Sequence, residues 1–143
     1  MDSWANLWGV QERSKFYSED IEELIAYTKQ ELFLGNGKGS LREKLESVKR
    51  QTKKTPKELE NLIELPDSMR YVWKYFTDLS SKRLNTGYGY LPLQYSEIKA
   101  YFELYNIHYE PFEVYIIEIL DGITMQHYNE EAAKEQDKSK SKK

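Results

Sequence analysis

Apolar residues recur three and four positions apart along most of this chain, the spacing of one helix face, and the elements it predicts are helices. From Ser18 an acidic first turn (Glu19, Asp20, Glu22, Glu23) precedes Ile21, Leu24, Ile25, Thr28 and Leu32, with Ser18 available as cap. Gly35-Asn36-Gly37-Lys38-Gly39 ends that helix. Another opens at Ser40, where Glu43 completes a capping box, and carries a narrow stripe of Leu41, Leu45 and Val48. Thr55-Pro56-Lys57-Glu58 is a further start signal, predicting a short helix with Leu59, Leu62 and Ile63.

The strongest stripe follows Leu65-Pro66-Asp67: Met69, Val72, Trp73, Phe76 and Leu79 fall at i, i+3, i+4, i+7 and i+10. A Gly/Tyr loop, Asn85 to Pro92, separates it from a helix over 95–105 that sets Tyr95, Ile98, Tyr101, Phe102 and Tyr105 on one face, with Asn106 as a left-handed stop. Pro111 restarts the chain at a first helical position, and Ile116, Ile117, Ile119, Leu120 and Ile123 then cover more than half of the wheel, the mark of the most buried helix. Near the start, Trp4, Leu7 and Trp8 stand at helical spacing, as a docking helix or a separate binding peptide. The pattern predicts an all-α, single-domain bundle of about five to six helices. Residues 1–39 read as an N-terminal extension with a Gly-rich linker, 40–128 as the core, and 129–143 as a disordered Lys-rich tail.

Composition narrows the function. A chain of 143 residues forms a core without staples, and with no cysteine there is neither a disulfide framework nor a thiolate zinc site. No apolar run approaches the roughly 20 residues that span a bilayer, and no signal peptide is seen. A net charge of −3 argues against a nucleic-acid footprint over the whole domain and points to protein partners. The Gly35 to Gly39 run follows a helix and lacks the order of a phosphate loop; His108 and His127 belong to no metal-ligand spacing. The expectation is a protein that is not an enzyme and needs no cofactor.

Candidate contact residues come from the aromatic surplus. Twelve tyrosines exceed what a small core buries with every hydroxyl paired, so some face outward. Tyr71 and Tyr75 lie one turn apart on the flank of the strongest helix, Tyr88 and Tyr90 sit in the Gly/Tyr loop, and Trp4 and Trp8 stand behind them as partner-binding candidates. Arg83 and Asp121 each fall on a largely apolar face, which predicts that they form a structural ion pair. Lys49, Arg50, Lys53, Lys54 and Lys57 form the one basic cluster in the body of the chain: a solvated helix end, or a phosphate contact.

The succession Arg50-Gln51-Thr52, Thr55-Pro56, Glu58-Leu59, Leu65-Pro66, Trp73-x-x-Phe76-x-x-Leu79, Arg83, the Gly-rich loop, Pro92-Leu93, Ser96-Glu97-Ile98, Pro111-x-Glu113-Val114 and Ile119-Leu120-Asp121 resembles small tail assembly chaperones of long-tailed bacteriophages. The resemblance covers about residues 40–122, and departs from the family pattern at Gln94, where a Thr-type helix cap is expected, and at Phe112, where a Trp often sits. It implies an assembly factor of the host cytoplasm, absent from the mature virion, that binds the tape measure protein and helps recruit tail tube protein. The alternatives are a tail component retained in the virion, such as a completion or minor tail protein, and a nucleic-acid-associated phage protein acting through the basic cluster.

Overall fold

In a computed structural model of the chain, which describes residues 9–141, the isoleucine-rich segment is the helix on which three of the others are laid. Six α-helices form among the described residues: α1 (Val10–Phe16), α2 (Ser18–Leu34), α3 (Leu41–Thr52), α4 (Arg70–Ser80), α5 (Tyr95–Leu104) and α6 (Pro111–Ser141). Single 3-10 turns occupy Lys57–Leu59 and Asp67–Met69, and no strand is present among the described residues. The all-α bundle predicted by the spacing is the fold. No helix of the described residues is long and apolar enough to cross a membrane.

Pro111 opens α6, where a missing N–H costs nothing, and two adjacent rows of side chains then turn inward: Phe112, Ile116 and Leu120 in one, Glu113, Ile117 and Asp121 in the other. Against this double row α4 sets Val72, Phe76 and Leu79, with Met69 just before it, and α5 adds Ile98 and Phe102. Fully burying such a side chain contributes about 2 kcal/mol. α1, α2 and α4 all pack on α6, while α5 leans on α4.

Several boundaries differ from the pattern reading. The core does not begin at Ser40: Ile21 and Leu24 of α2 lie in the same buried cluster, and Tyr27 sets its ring edge-on to Trp73 at 5.0 Å. Gln30 adds a two-way clamp, donating to Ile63 O at 3.0 Å and accepting from Ile63 N at 2.8 Å. α1 is held by Arg13, which lies over the Phe112 ring at 4.2 Å and pairs with Glu110 at 2.8 Å and Glu113 at 3.4 Å. Residues 10–34 are therefore packed into the body rather than appended to it.

At the other end, residues 129–141 are helical where disorder is expected. The segment contains no glycine or proline, is rich in Glu, Ala, Gln and Lys, and prolongs a helix already nucleated by the core. Pairs such as Lys134 with Glu131 (3.4 Å) support it, although every side chain there is exposed.

Capping also differs in detail. Ser18 is the first residue of α2 and Tyr17 its N-cap, without a side-chain bond. Ser40 Oγ accepts from Glu43 N at 3.1 Å as the capping box requires, but Glu43 returns to Gly39 N rather than to the Ser40 amide. After Thr55-Pro56 only one 3-10 turn forms, and Asn61 then turns left-handed (φ 53°), leaving Leu62 and Ile63 exposed outside any helix.

Two substitutions test these local readings. Gln94 is the N-cap of α5 with extended backbone (φ −95°, ψ 150°), yet its side chain donates to Pro92 O instead of capping. Gln94→Thr supplies the missing cap acceptor and raises the thermal midpoint by about 4 °C, for a gain of about 1 kcal/mol. Gly122 lies in the middle of α6, and a Cβ there meets nothing within 4 Å. Gly122→Ala therefore stabilises the monomer by about 1 kcal/mol in chemical denaturation.

Candidate functional site

Two helices carry tyrosines at i, i+4, and the bundle sets those two pairs side by side. Tyr71 and Tyr75 of α4 meet edge-on at 5.7 Å, Tyr101 and Tyr105 at the end of α5 meet at 5.1 Å, and Tyr75 reaches Tyr101 at 6.1 Å. The result is an unbroken line of rings over the surface of both helices. Phe102 anchors it from below, with Tyr75 edge-on at 5.2 Å and Tyr109 stacked at 4.4 Å and 14°. Tyr75 and Tyr101 are half-buried supports, while Tyr71 (39% exposed) and Tyr105 (68%) face outward, and Leu104 beside them is 80% exposed.

Polar contacts hold the band in place. The Tyr101 hydroxyl donates to Asp78 Oδ2 at 2.7 Å, and Lys74 Nζ reaches the same oxygen at 2.9 Å. Donation from Tyr101, then from Lys74, keeps the Asp78 carboxyl below the usual range; burial, then the bond to Asp78, pushes the Tyr101 phenol well above its usual value. The Tyr101 phenol thus stays protonated near neutrality and keeps its hydrogen to donate to Asp78. Burial also raises Tyr71, aided by the Glu113 carboxylate and opposed by Arg13.

The Gly/Tyr loop forms a second aromatic feature. Leu91 N donates to Leu84 O at 2.9 Å, Asn85 and Tyr90 form an isolated antiparallel bridge, and Thr86 N donates to Gly89 O at 3.1 Å, so the loop closes on itself. Gly87 and Gly89 take the positive φ values (90° and 146°) that the tight tip requires. Tyr88, between them, is 100% exposed, whereas Tyr90 lies against Tyr128 at 4.7 Å.

What docks the loop is a charge pair. Arg83 and Asp121 are brought together with Nη1 2.5 Å from Oδ1, their side chains only 2% and 12% exposed. The pair is electrostatic rather than a directed hydrogen bond, since Oδ1 has no donor in bonding geometry. The directed bonds go to the loop: Arg83 Nη1 donates to Leu91 O at 3.0 Å, and Asp121 Oδ2 accepts from Leu93 N at 3.1 Å. Arg83 Nη2 also donates to Ser80 Oγ at 3.2 Å, and its guanidinium lies 5.9 Å from the Tyr128 ring.

The candidate residues therefore fall into separate groups. Tyr71 and Tyr75 share the band, Tyr88 and Tyr90 lie in the loop, and among the described residues no ring contact joins the two groups. Trp4 and Trp8 lie outside the described residues. Pattern reading missed Tyr105 and Tyr109 as surface groups because it placed Tyr105 on the buried face of its helix; the repeated Tyr i, i+4 spacing on two helices was the available signal. Lys49, Arg50, Lys53, Lys54 and Lys57 are all exposed at and beyond the end of α3, with no stacking ring interleaved. Among the described residues no group of three or more acidic or histidine side chains is arranged to hold a metal.

The clasp makes a quantitative prediction. Arg83→Met leaves Asp121 buried without its countercharge and costs about 3–5 kcal/mol in urea unfolding. Arg83→Met with Asp121→Leu costs less than the sum of the single changes, with a coupling of at least about 1 kcal/mol.

Comparison with known proteins adds a family. A family model described as "Phage tail assembly chaperone" matches residues 48–126, more than half of the chain, from the end of α3 through α4, the loop and α5 into α6. No curated protein and no solved structure matches the chain. The matched span contains both the aromatic band and the Arg83–Asp121 clasp, and on that match the chain belongs to the phage tail assembly chaperone family.

Proposed function

We propose that this chaperone binds the tape measure protein of its phage through the band from Tyr71 to Tyr105, helps recruit tail tube subunits, and leaves before the particle is complete. The single observation behind this reading is that band: four contiguous tyrosines, two of them outward, on a rigid helical face of a tail assembly chaperone. A tape measure is a long helical chain with apolar stripes that need cover before the tube surrounds them. Tyrosine suits temporary cover, because its ring buries apolar area at low entropic cost and its hydroxyl stays wet. A helix laid across a groove or face of this kind is held by a few anchors, with no bond made or broken. The chaperone then works in the host cytoplasm by mass action, favouring the unassembled tape measure while it is bound.

Pull-down with the tagged chain from infected cells tests the reading. Tape measure protein is recovered, and Tyr71→Ala or Tyr105→Ala each weakens its capture roughly tenfold while helical content by circular dichroism is unchanged. Tyr75→Ala instead lowers the thermal midpoint, since its ring supports the band from a half-buried position. Mass spectrometry of purified particles finds no stoichiometric copy of the chain; its presence there would assign it to the tail structure and overturn the proposal.

A further inference from the structure

Helix α3 carries a patterned surface that the fold does not use. Leu41, Leu45 and Val48 lie along one side of it, yet no residue of α3 is fully buried and Val48 is exposed. Its start is fixed to α2 by Arg42, which pairs with Glu31 and donates to Gly35 O at 3.0 Å, so the helix is held in place while its far end stays open.

Charge is segregated on this helix and the turn after it. From Leu41 to Lys57 seven Lys and Arg stand against two Glu, a net +5, whereas the remaining residues carry −8 of the total of −3. Lys49, Arg50 and Lys53, with Glu46, line a shallow hollow of about 550 Å³ at the end of α3. Three cations against one carboxylate leave the hollow positive. The backbone beyond it is ordered, since Thr52 Oγ1 donates to Val48 O at 2.8 Å and accepts from Lys54 N at 3.3 Å.

Lys53 supplies an independent observation. Cations in a last helical turn are favoured by the free carbonyls there, which accounts for Lys49 and Arg50 as parts of a solvated helix end. It does not account for the backbone of Lys53, the C-cap, which is left-handed (φ 59°, ψ 17°). Glycine and asparagine take that conformation most readily, and the other non-glycine residues with positive φ among the described residues, Asn61 and Asn106, obey the rule. Folding alone does not ask for a lysine in this place, and a strained residue beside a charged hollow points to use of its side chain.

We propose that the end of α3 docks an acidic, amphipathic helical segment of a partner protein, with carboxylates of that segment in the hollow among Lys49, Arg50 and Lys53 and its apolar side chains over Val48. A nucleic acid fits the same cations less well. No ring stands among them for a base to stack on, and the −8 on the rest of the chain opposes a long polyanion more than a short acidic segment. The site uses other residues than the aromatic band and does not depend on the tape measure reading.

Fluorescence anisotropy of the full chain decides it, with a labelled synthetic helix that carries Leu on one face and Glu on the other. The peptide binds, and the same peptide with Gln for every Glu binds roughly tenfold more weakly, as does the acidic peptide to a Lys49→Gln, Arg50→Gln double variant. Lys53→Gly weakens binding roughly fivefold and raises the thermal midpoint, because glycine relieves the left-handed cap while removing the charge. Equal binding of the Glu and Gln peptides overturns the proposal, and so does a Lys53→Gly variant that binds as the wild type does. A Lys53→Gly variant that melts lower also overturns it, since the lysine then serves the helix. A DNA duplex bound more tightly than the acidic peptide would assign the cluster to nucleic acid instead.

Discussion

A guanidinium and a carboxylate taken out of water hold this molecule's irregular chain to its regular one. Arg83 leaves the end of α4 and Asp121 sits more than two turns into α6, and between them they bond the carbonyl of Leu91 and the amide of Leu93. Desolvating two charges is expensive, and the pair alone returns little of that cost. What the arrangement does is satisfy backbone groups of a glycine-containing loop that has no sheet or helix to bond with. The buried polar contacts thus specify one path for the loop, and that path determines where Tyr88 projects and where α5 begins.

The aromatic surplus is resolved in two ways. Half-buried rings are tied by their hydroxyls to carboxylates at the surface, as with Tyr101 and Asp78, so that ring area is covered without stranding a polar atom. Other rings are built on these and left outward, as Tyr105 is on Tyr101. Such a surface is rigid because its lower layer belongs to the core: Tyr75 and Tyr109 both rest on Phe102, which is itself fully buried. A band of this construction exposes ring area whose side chains have little further conformational entropy to lose.

The region matched by the chaperone family is not the whole physical unit. It begins at residue 48, whereas Ile21 and Leu24 of α2 lie in the same buried cluster as Phe76 and Ile116. The α2 helix also carries Tyr27 onto Trp73 and Asp20 onto the hydroxyl of Ser68 at 2.6 Å, bonds that fix the approach to α4. By contrast α3, whose end lies within the matched span, buries no residue fully and is tied to α2 mainly through Arg42, which pairs with Glu31 and donates to Gly35 O. Sequence likeness and packing therefore draw the domain differently.

Helices over the Met69 to Leu79 stripe, over 95–105 and from Pro111 were legible because a helix face is written locally, in residues three and four apart, and because proline and left-handed asparagine punctuate it. The Arg83 and Asp121 positions were legible for the same reason, as charges on wheels that are otherwise apolar. Helical character beyond Asn129 was not, since composition alone does not separate a solvated helix from disorder when the nucleus that sustains it lies turns away. Nor was the grouping of the tyrosines: Tyr105 shares a periodic face with Ile98, and only the place where α5 ends against α4 leaves one outside and the other within. Period decides what a segment becomes, and it is a local property of the chain; burial depends on which distant segments arrive beside it, and that is settled only when the helices, the loop and the buried charge pair are assembled together.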